Sequence, residues 1–386
     1  MSDHCSPTFS DLASRLGFSC EDAGGLVEVR NPFALENWTL PVLEFTIVLG
    51  AVLALVYAVL RLRRHGDPTN LVLWFGATAF LFVIEPPIYF PATFGTEDYL
   101  GTMFAHNVFT VDFLWGRLPL YIVAIYPLMA TIAFEIVRML GVFRKYGVLL
   151  GAVSVGFVHH AFYEIFDQLG PQLRWWEWTL DNKVNLPFFD SVPLPSVVVF
   201  AALWPMSLAL CVQFFVGRHV DAGRHFSGLQ LVWRTVVIGL AASVGVFVLP
   251  LPATVFGMGS DTVRGFLYAT ELAVLSVVAV VVLVRQWSHL RQVPSDAPGY
   301  RNVFAQWYAI VYLAVMAVLW MSALPDFFGA VDGFTTNGDP VGNLWYTIAC
   351  FAVAILCVAA TFTVPRGQSK DGGEPVSGES AVTQPA

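Results

Sequence analysis

Residues 43–60 read LEFTIVLGAVLALVYAVL and run directly into the basic sequence RLRRH at residues 61–65. An apolar run of this length matches the roughly 20 residues that a helix needs to cross the hydrocarbon core of a bilayer. Backbone polar groups cannot stay unpaired in lipid, so each such run in the chain predicts a membrane-spanning helix. The nine predicted spans are Leu43–Leu60, Leu71–Tyr89, Leu118–Leu140, Tyr146–Tyr163, Leu194–Val216, Leu229–Leu249, Gly265–Val284, Val303–Leu324 and Leu344–Thr363.

The composition indicates the same fold class. Of the 386 residues, 56% are hydrophobic and 12% are charged, whereas soluble domains carry about 25% charged residues. The sequence therefore predicts an all-α polytopic transmembrane bundle, with residues 43–364 as its helical domain and the lipid bilayer as its surroundings. Lys and Arg are few and scattered, and no phosphate-binding glycine motif occurs, so we expect neither nucleic acid nor nucleotide as a partner.

The distribution of basic residues predicts the topology. If the N-terminus lies outside, the inner loops hold 13 of the 20 basic residues, which is the cytoplasmic signature. These are Arg61, Arg63, Arg64, Arg138, Arg144, Lys145, Arg218, Arg224, Arg285, Arg291, Arg301, Arg366 and Lys370. The outer segments hold Arg15, Arg30, Arg117, Arg174, Lys183 and Arg264. We therefore expect a multi-pass plasma-membrane protein with its N-terminus outside and its C-terminus in the cytoplasm.

Two flanking segments differ from the helical domain. Residues 1–42 form an acidic segment that this topology places outside the membrane, and Cys5 and Cys20 in it either form a disulfide or remain free thiols. Residues 365–386 are rich in Gly, Ser, Glu and Pro, and we expect them to be a disordered cytoplasmic tail. Within the spans, Gly147 with Gly151 predicts close helix packing, and Pro205 predicts a kink in the fifth span.

Ionisable residues at membrane depth are functional candidates, because burying them is costly. A rise of about 1.5 Å per residue puts Glu85, His159 and His160 at nearly the same depth in the outer half, with Glu164 just above. His160, Glu164 and Asp167 follow at i, i+4 and i+7, so they share one helix face. We therefore take Glu85, His159, His160 and Glu164 as candidate catalytic residues, and we expect Pro86 to disturb the helix at Glu85.

Further polar and aromatic residues border this zone. Trp175, Trp176 and Trp178 stand beside charged residues in one outer loop, where they form either an interfacial aromatic belt or a lid over the cluster. His106 and Asp112 lie in the preceding outer loop, and Glu271 lies about 9 Å below the outer end of the seventh span. We take these six as candidate substrate-binding residues.

Three functions remain open for such a site. Buried carboxyl groups and aromatic faces suit acid–base chemistry on a lipophilic small molecule, as in a cyclase, hydratase or isomerase of an isoprenoid or polyketide. Buried Glu and His also suit a proton-coupled transporter, and a paired His and Glu can equally belong to a scaffold or complex subunit without its own chemistry. Eight dispersed histidines without HExxH or HxxHH do not favour a metal site, so we expect no metal and no cofactor.

Overall fold

A computed structural model describes residues 5–22, 24–94, 104–179, 187–189 and 191–368. Lys183, Lys370 and most of the tail predicted to be disordered lie outside these ranges. The chain is about 71% helical, and its described residues contain nine helices that are long and apolar enough to cross a membrane. After an N-terminal helix α1 (Pro7–Leu16), these nine are α2 (Thr39–His65), α3 (Thr69–Tyr89), α5 (Leu120–Met139), α6 (Val142–Asp167), α7 (Ser196–Asp221), α8 (Gly228–Phe256), α9 (Asp261–Leu290), α10 (Val303–Phe328) and α11 (Leu344–Thr361), with a single turn α4 (Pro91–Phe94) between α3 and α5.

The prediction of an integral membrane bundle with nine spans is confirmed, but most helices extend beyond the predicted ends. Helix α2 continues through Arg63 and Arg64 to His65, and α9 begins at Asp261, where Ser260 caps the backbone N–H of Val263. Apolar runs mark the depth of the hydrocarbon, whereas caps and charged last turns mark where a helix ends. Hydropathy therefore located the helices better than their termini.

We call the end of the bundle at which α2 begins the N-face, and the end at which α2 finishes the C-face. Helices α5 and α6 form the centre of the bundle, and α5 is buried along nearly its whole length between α2, α3 and α6. Helices α8 and α9 lie at the periphery and expose apolar side chains such as Val244, Phe247 and Val277. Such apolar exposure is expected where a helix faces lipid instead of water.

Glycines set two close approaches and one bend. A Cβ at Gly156 of α6 would lie 2.7 Å from the carbonyl oxygen of Ala202, so only glycine lets α6 and α7 approach this closely. A Cβ at Gly50 would lie 2.4 Å from the ring of Tyr308. The predicted packing role of Gly147 is wrong, because nothing lies within 4 Å of a Cβ there, and its φ of +83° instead makes the bend near the start of α6.

Short strands and α1 build a cap on the N-face. Strand β1 (Val27–Val29) pairs with β3 (Val111–Phe113), which pairs with β4 (Leu118–Pro119), and β2 (Phe104–His106) pairs antiparallel with β5 (Trp176–Trp178). Two further strand pairs join β6 (Pro187–Phe189) to β7 (Val192–Pro193) and β8 (Pro298–Gly299) to β9 (Gly367–Gln368).

The N-terminal segment is part of this cap. A disulfide joins Cys5 to Cys20 across α1, which resolves the alternatives left by the sequence. Phe9 of α1 is fully buried, and the guanidinium carbon of Arg117 lies 3.5 Å from the centre of its ring. The segment that the sequence marked only as acidic therefore contains a small core of its own.

The C-face is closed by a balanced group of charges. Asp67 accepts hydrogen bonds from Arg61 Nε at 2.9 Å and from Arg138 Nη2 at 2.5 Å. Burial opposes ionisation of Asp67, but Arg138 and Arg61 outweigh it and hold the pKa of this carboxyl well below its ordinary value. Glu135 pairs with Arg138, at 3.5 Å, and also accepts hydrogen bonds from the Tyr300 hydroxyl and the Asn302 amide.

The close approach at Gly156 gives a stability test. We expect Gly156→Ala to lower the free energy of unfolding by about 1–3 kcal/mol, because the added methyl group must displace the backbone of α7. The measurement is the apparent melting temperature of the purified protein in detergent. Gly228→Ala is the matched control, since nothing lies within 4 Å of a Cβ at Gly228. Equal melting temperatures for the two variants would contradict the proposed close contact.

Candidate functional site

Among the carboxyl groups of the N-face half, three on α3 and α6 are buried and have no cation beside them in the described structure. Glu85, Glu164 and Asp167 are at most 6% exposed, and none of them makes an ion pair with any described residue. This differs from the C-face, where Asp67 and Glu135 are both paired with arginine. An uncompensated carboxylate in a medium of low dielectric constant is unstable, so the N-face carboxyl groups depend on neutral hydrogen-bond partners.

Glu85 is the start of a buried polar chain. The hydroxyl of Tyr126 on α5 donates a short hydrogen bond to Glu85, and Tyr89, one turn along α3, also interacts with this carboxyl group. The Tyr89 hydroxyl lies 3.2 Å from Nε2 of His106, whose Nδ1 lies 3.1 Å from the hydroxyl of Tyr121. The chain thus links the last turns of α3 and the first half of α5 to strand β2 of the cap. Pro86 does not break the helix at Glu85, and α3 continues to Tyr89.

His159 is held by a defect in the neighbouring helix. Pro205 has no N–H, so the carbonyl of Ala201, four residues earlier, has no α-helical partner, and Ser196–Leu203 adopts a π-helical conformation. Nδ1 of His159 lies 2.7 Å from that carbonyl oxygen. Because a carbonyl only accepts, Nδ1 carries the proton and Nε2 of the neutral ring presents its lone pair. Nε2 is buried and has no hydrogen-bond partner among the described residues.

Aromatic rings connect His159 to Glu85. The ring of Trp204 lies 5.1 Å from that of Tyr126 and 5.1 Å from that of His159, which meets it edge-on. On its other side, His159 stacks on Tyr163 at 5.5 Å. We call Glu85, Tyr126, His159, Tyr163 and Trp204 the N-face cluster. It places one carboxyl group and one imidazole lone pair on either side of an aromatic pair.

His160, Glu164 and Asp167 share a face of α6 as the spacing predicts, but each bonds to a different neighbour. His160 Nε2 makes a short hydrogen bond with the hydroxyl of Tyr346 on α11. Glu164 accepts from Gln168 at 3.0 Å, and Asp167 accepts from Ser196 at 2.8 Å. No hydrogen bond joins His160 to Glu164 in the described structure. These three residues therefore lie beside the N-face cluster, facing α7 and α11.

Of the three tryptophans in this loop, Trp175 and Trp176 are buried in the cap. Trp175 is fully buried and donates to the hydroxyl of Thr39 at 2.9 Å. Trp176 packs on Phe166 at 4.8 Å and stands opposite His106 in the pairing of β2 with β5, where Trp178 stands opposite Phe104. Burial of Trp175 and Trp176 does not match a belt at the lipid interface. The aromatic residues instead cover the polar chain that ends at His106.

The remaining candidates serve the cap or stand apart. Asp112 is fully buried, pairs with Arg30 and accepts from the backbone N–H of Phe109 at 3.1 Å. Its contacts therefore hold the cap together. Glu271 accepts from the backbone N–H of Ala253 at 3.3 Å, and no hydrogen bond links it to the N-face cluster within the described residues.

Sequence reasoning missed the neutral members of the site. Tyr89 follows Glu85, and Tyr163 follows His159, each at the i+4 spacing that brings side chains together on a helix. That spacing was visible in the sequence. The contribution of Tyr126 and Trp204 was not, because it depends on which helices are neighbours. Across the described residues, no three His, Cys, Asp or Glu side chains come close enough to hold a metal ion.

Comparison of the chain with protein-family models, with curated proteins and with solved structures gives no match. The function of the site must therefore be argued from its geometry.

The buried imidazole of His106 makes the cap sensitive to acid. Burial lowers the pKa of His106 from its ordinary value of 6.5 to about 3, so the unfolded cap binds a proton at a higher pH than the folded cap. The stability of the cap is therefore complete above pH 6.5 and falls as the pH drops toward 3, by about 1.4 kcal/mol per pH unit. We expect the free energy of opening of the β2–β5 pair to fall by about 2 kcal/mol between pH 7 and pH 5.

Hydrogen exchange of residues 104–106 and 176–178 measures this opening. His106→Gln is the control, since glutamine offers one donor and one acceptor to Tyr89 and Tyr121 but does not titrate. The variant should lose most of the pH dependence. The same slope in both proteins would show that another group is responsible.

Proposed function

We propose that this integral membrane protein is an enzyme that performs acid–base chemistry on an unsaturated lipophilic small molecule of the isoprenoid or polyketide class. The observation that carries the proposal is the N-face cluster, in which a buried carboxyl group without a cation and an unpartnered imidazole nitrogen flank an aromatic pair. Acid, base and aromatic surface are the three parts that a cationic rearrangement needs.

Glu85 is the proposed acid. It has no arginine or lysine partner among the described residues, and its contacts are the neutral hydroxyl groups of Tyr126 and Tyr89. Keeping the proton on the carboxyl group avoids the cost of a buried charge. The protonated carboxyl group donates this proton to one carbon of a substrate double bond, whose electron pair forms the new C–H bond. The neighbouring carbon becomes cationic.

His159 is the proposed base. Its Nε2 lone pair accepts a proton from a carbon next to the cation, and the C–H electron pair becomes a new double bond. The product is an isomer of the substrate, cyclised if a second double bond attacks the cation first. Before the next cycle His159 releases this proton to solvent and Glu85 takes one up from solvent, so no cofactor is consumed.

The aromatic pair serves the intermediate. The faces of Trp204 and Tyr126 attract a cation through their quadrupoles, and such contacts strengthen when water is excluded. Trp204 is 2% exposed and Tyr126 is 7% exposed. Their burial supports a role in stabilising a carbocation and in keeping water away from it.

We also propose that the N-face is extracytoplasmic and that the membrane is the plasma membrane. The basic residues near the C-face support this orientation through the positive-inside rule. The disulfide between Cys5 and Cys20 supports it independently, because disulfides persist in oxidising compartments. Glycine, serine and acidic residues after Pro365 then form the cytoplasmic tail.

A proton-coupled transporter is the second candidate. It is favoured by the contrast between the two halves of the bundle. Buried carboxyl groups near the C-face are paired with arginine, whereas Glu85, Glu164 and Asp167 in the N-face half have no such partner among the described residues. Carriers use such carboxyl groups as proton relays. Proton-dependent uptake of a solute into proteoliposomes, absent in Glu85→Gln, would favour this function over catalysis.

Membrane lipid extracts provide the direct test of the enzyme. The strains are the parent, a deletion, and the deletion carrying the wild-type protein, Glu85→Gln or Glu271→Gln. We expect a precursor to accumulate in the deletion and in Glu85→Gln, because loss of a general acid costs at least about 100-fold in rate. Glu271→Gln is the matched control, a span carboxyl group that stands apart from the N-face cluster, and it should restore the parent's lipids.

Incubation of the purified protein with the accumulated precursor in deuterated water tests the reaction itself. The product should have the precursor's composition with one deuterium incorporated per turnover. A lipid profile unaffected by the deletion, or equal activity of Glu85→Gln and wild type, would refute the proposed enzyme.

A further inference from the structure

A basic cleft of about 270 Å³ opens on the C-face, far along α6 from the N-face cluster. It lies between the turn that joins α5 to α6 and the last turns of α9. Arg144, Lys145, Gln286 and His289 supply its polar lining, and Leu290 and Val364 supply apolar lining. An adjoining cleft of about 320 Å³ shares Leu290 and Val364 and adds Arg291 and Arg366.

Two cations of the cleft, Arg144 and Lys145, belong to none of the ion pairs of the C-face. Arg144 and Lys145 are exposed, and neither makes an ion pair of 4 Å or less within the part of the chain that the structure describes. This distinguishes them from Arg61 and Arg138 on the same face, which are both paired with Asp67. In a chain of net charge −8, such a local excess of positive charge attracts anions.

Gln286 provides a second, independent feature. Its side chain is 4% exposed, and its Nε2 donates to the carbonyl of Leu140 at 2.6 Å, which leaves Oε1 as the free end of the amide. Oε1 is buried and has no hydrogen-bond partner among the described residues. A buried acceptor without a partner in the wall of a cleft indicates a ligand with a donor.

Gly141 brings the two features together. Its φ of +76° turns the chain between α5 and α6. A Cβ at this position would lie 3.4 Å from Nη2 of Arg144 and 3.6 Å from Nε2 of Gln286. The guanidinium group of Arg144 and the amide of Gln286 therefore lie close together beside Gly141, so a single ligand can reach both.

We propose that this cleft binds the headgroup of an anionic phospholipid that carries a hydroxyl group, such as phosphatidylglycerol. The phosphate lies between Arg144 and Lys145, and a headgroup hydroxyl donates to Oε1 of Gln286. The proposal is independent of the function of the N-face cluster.

The position of the cleft favours a lipid over a free anion. It lies where α6 begins and α9 ends, which is the level of the headgroups in a bilayer. Apolar side chains, including Leu290, Val293 and Val364, border the cations and offer contact to the glycerol backbone and the first methylene groups. Basic pockets between spans bind anionic headgroups in this way.

Native mass spectrometry of the purified full-length protein in detergent micelles tests the proposal. Phosphatidylglycerol, phosphatidic acid, phosphatidylcholine and inorganic phosphate are titrated in separate experiments. We expect phosphatidylglycerol to bind best, and the double variant Arg144→Gln/Lys145→Gln to bind it roughly 10- to 30-fold more weakly. Gln286→Met should reduce the preference for phosphatidylglycerol over phosphatidic acid, which lacks the headgroup hydroxyl.

Arg63→Gln/Arg64→Gln is the matched control. It removes two adjacent exposed cations from the same face, outside the cleft, and should leave the affinity unchanged. Equal losses of affinity for phosphatidylglycerol in the two double variants would show that general surface charge is responsible, and would overturn the proposal. Equal binding of phosphatidylcholine, or full competition by inorganic phosphate, would overturn it as well.

Discussion

The hydrogen bond between His159 and the carbonyl of Ala201 is the interaction on which the N-face cluster depends. It exists because Pro205 cannot donate to that carbonyl, and because Gly156 lets α6 approach α7 closely enough for the imidazole to do so. In lipid, a carbonyl released from a helix must find a donor within the protein. The same bond fixes the tautomer of His159, so a backbone defect in one helix determines which nitrogen of a side chain in another is free.

The two ends of the bundle treat buried charge in opposite ways. At the C-face, Asp67 and Glu135 are paired with arginine. The centre of the Tyr300 ring lies within 5 Å of the guanidinium carbons of Arg61 and Arg138. Around Glu85, Glu164 and Asp167 in the N-face half of the spans, a tyrosine hydroxyl, an amide and a serine take the place of cations. A carboxyl group paired with arginine is held in its ionised form. A carboxyl group with neutral partners can keep its proton or release it. This contrast is the physical basis for assigning stability to one end and chemistry to the other.

Much of the fold followed from the sequence, but only part of the site did. The nine apolar runs located the spans because lipid imposes one length and one secondary structure on them. Glu85 and His159 were predicted as candidates because an ionisable group at membrane depth is costly. The grouping of His160 with Glu164 did not yield a contact, since helical spacing gives a shared face but not the partner across from it. Tyr126 and Trp204 could not be found from spacing at all, because their roles depend on how α3, α5, α6 and α7 are arranged.

The small core around Phe9 has a consequence for how the protein is made. Helix α1 packs on Ala105 and against β5, so its binding surface is assembled from segments that lie up to about 160 residues later in the chain. The disulfide between Cys5 and Cys20 joins residues that are made early, but the cap cannot close before the fourth span and the strand that follows it have been made. During synthesis, the apolar face of α1 therefore stays without its partners until β5 has been made, and closure of the cap reports that the first four spans have been placed correctly.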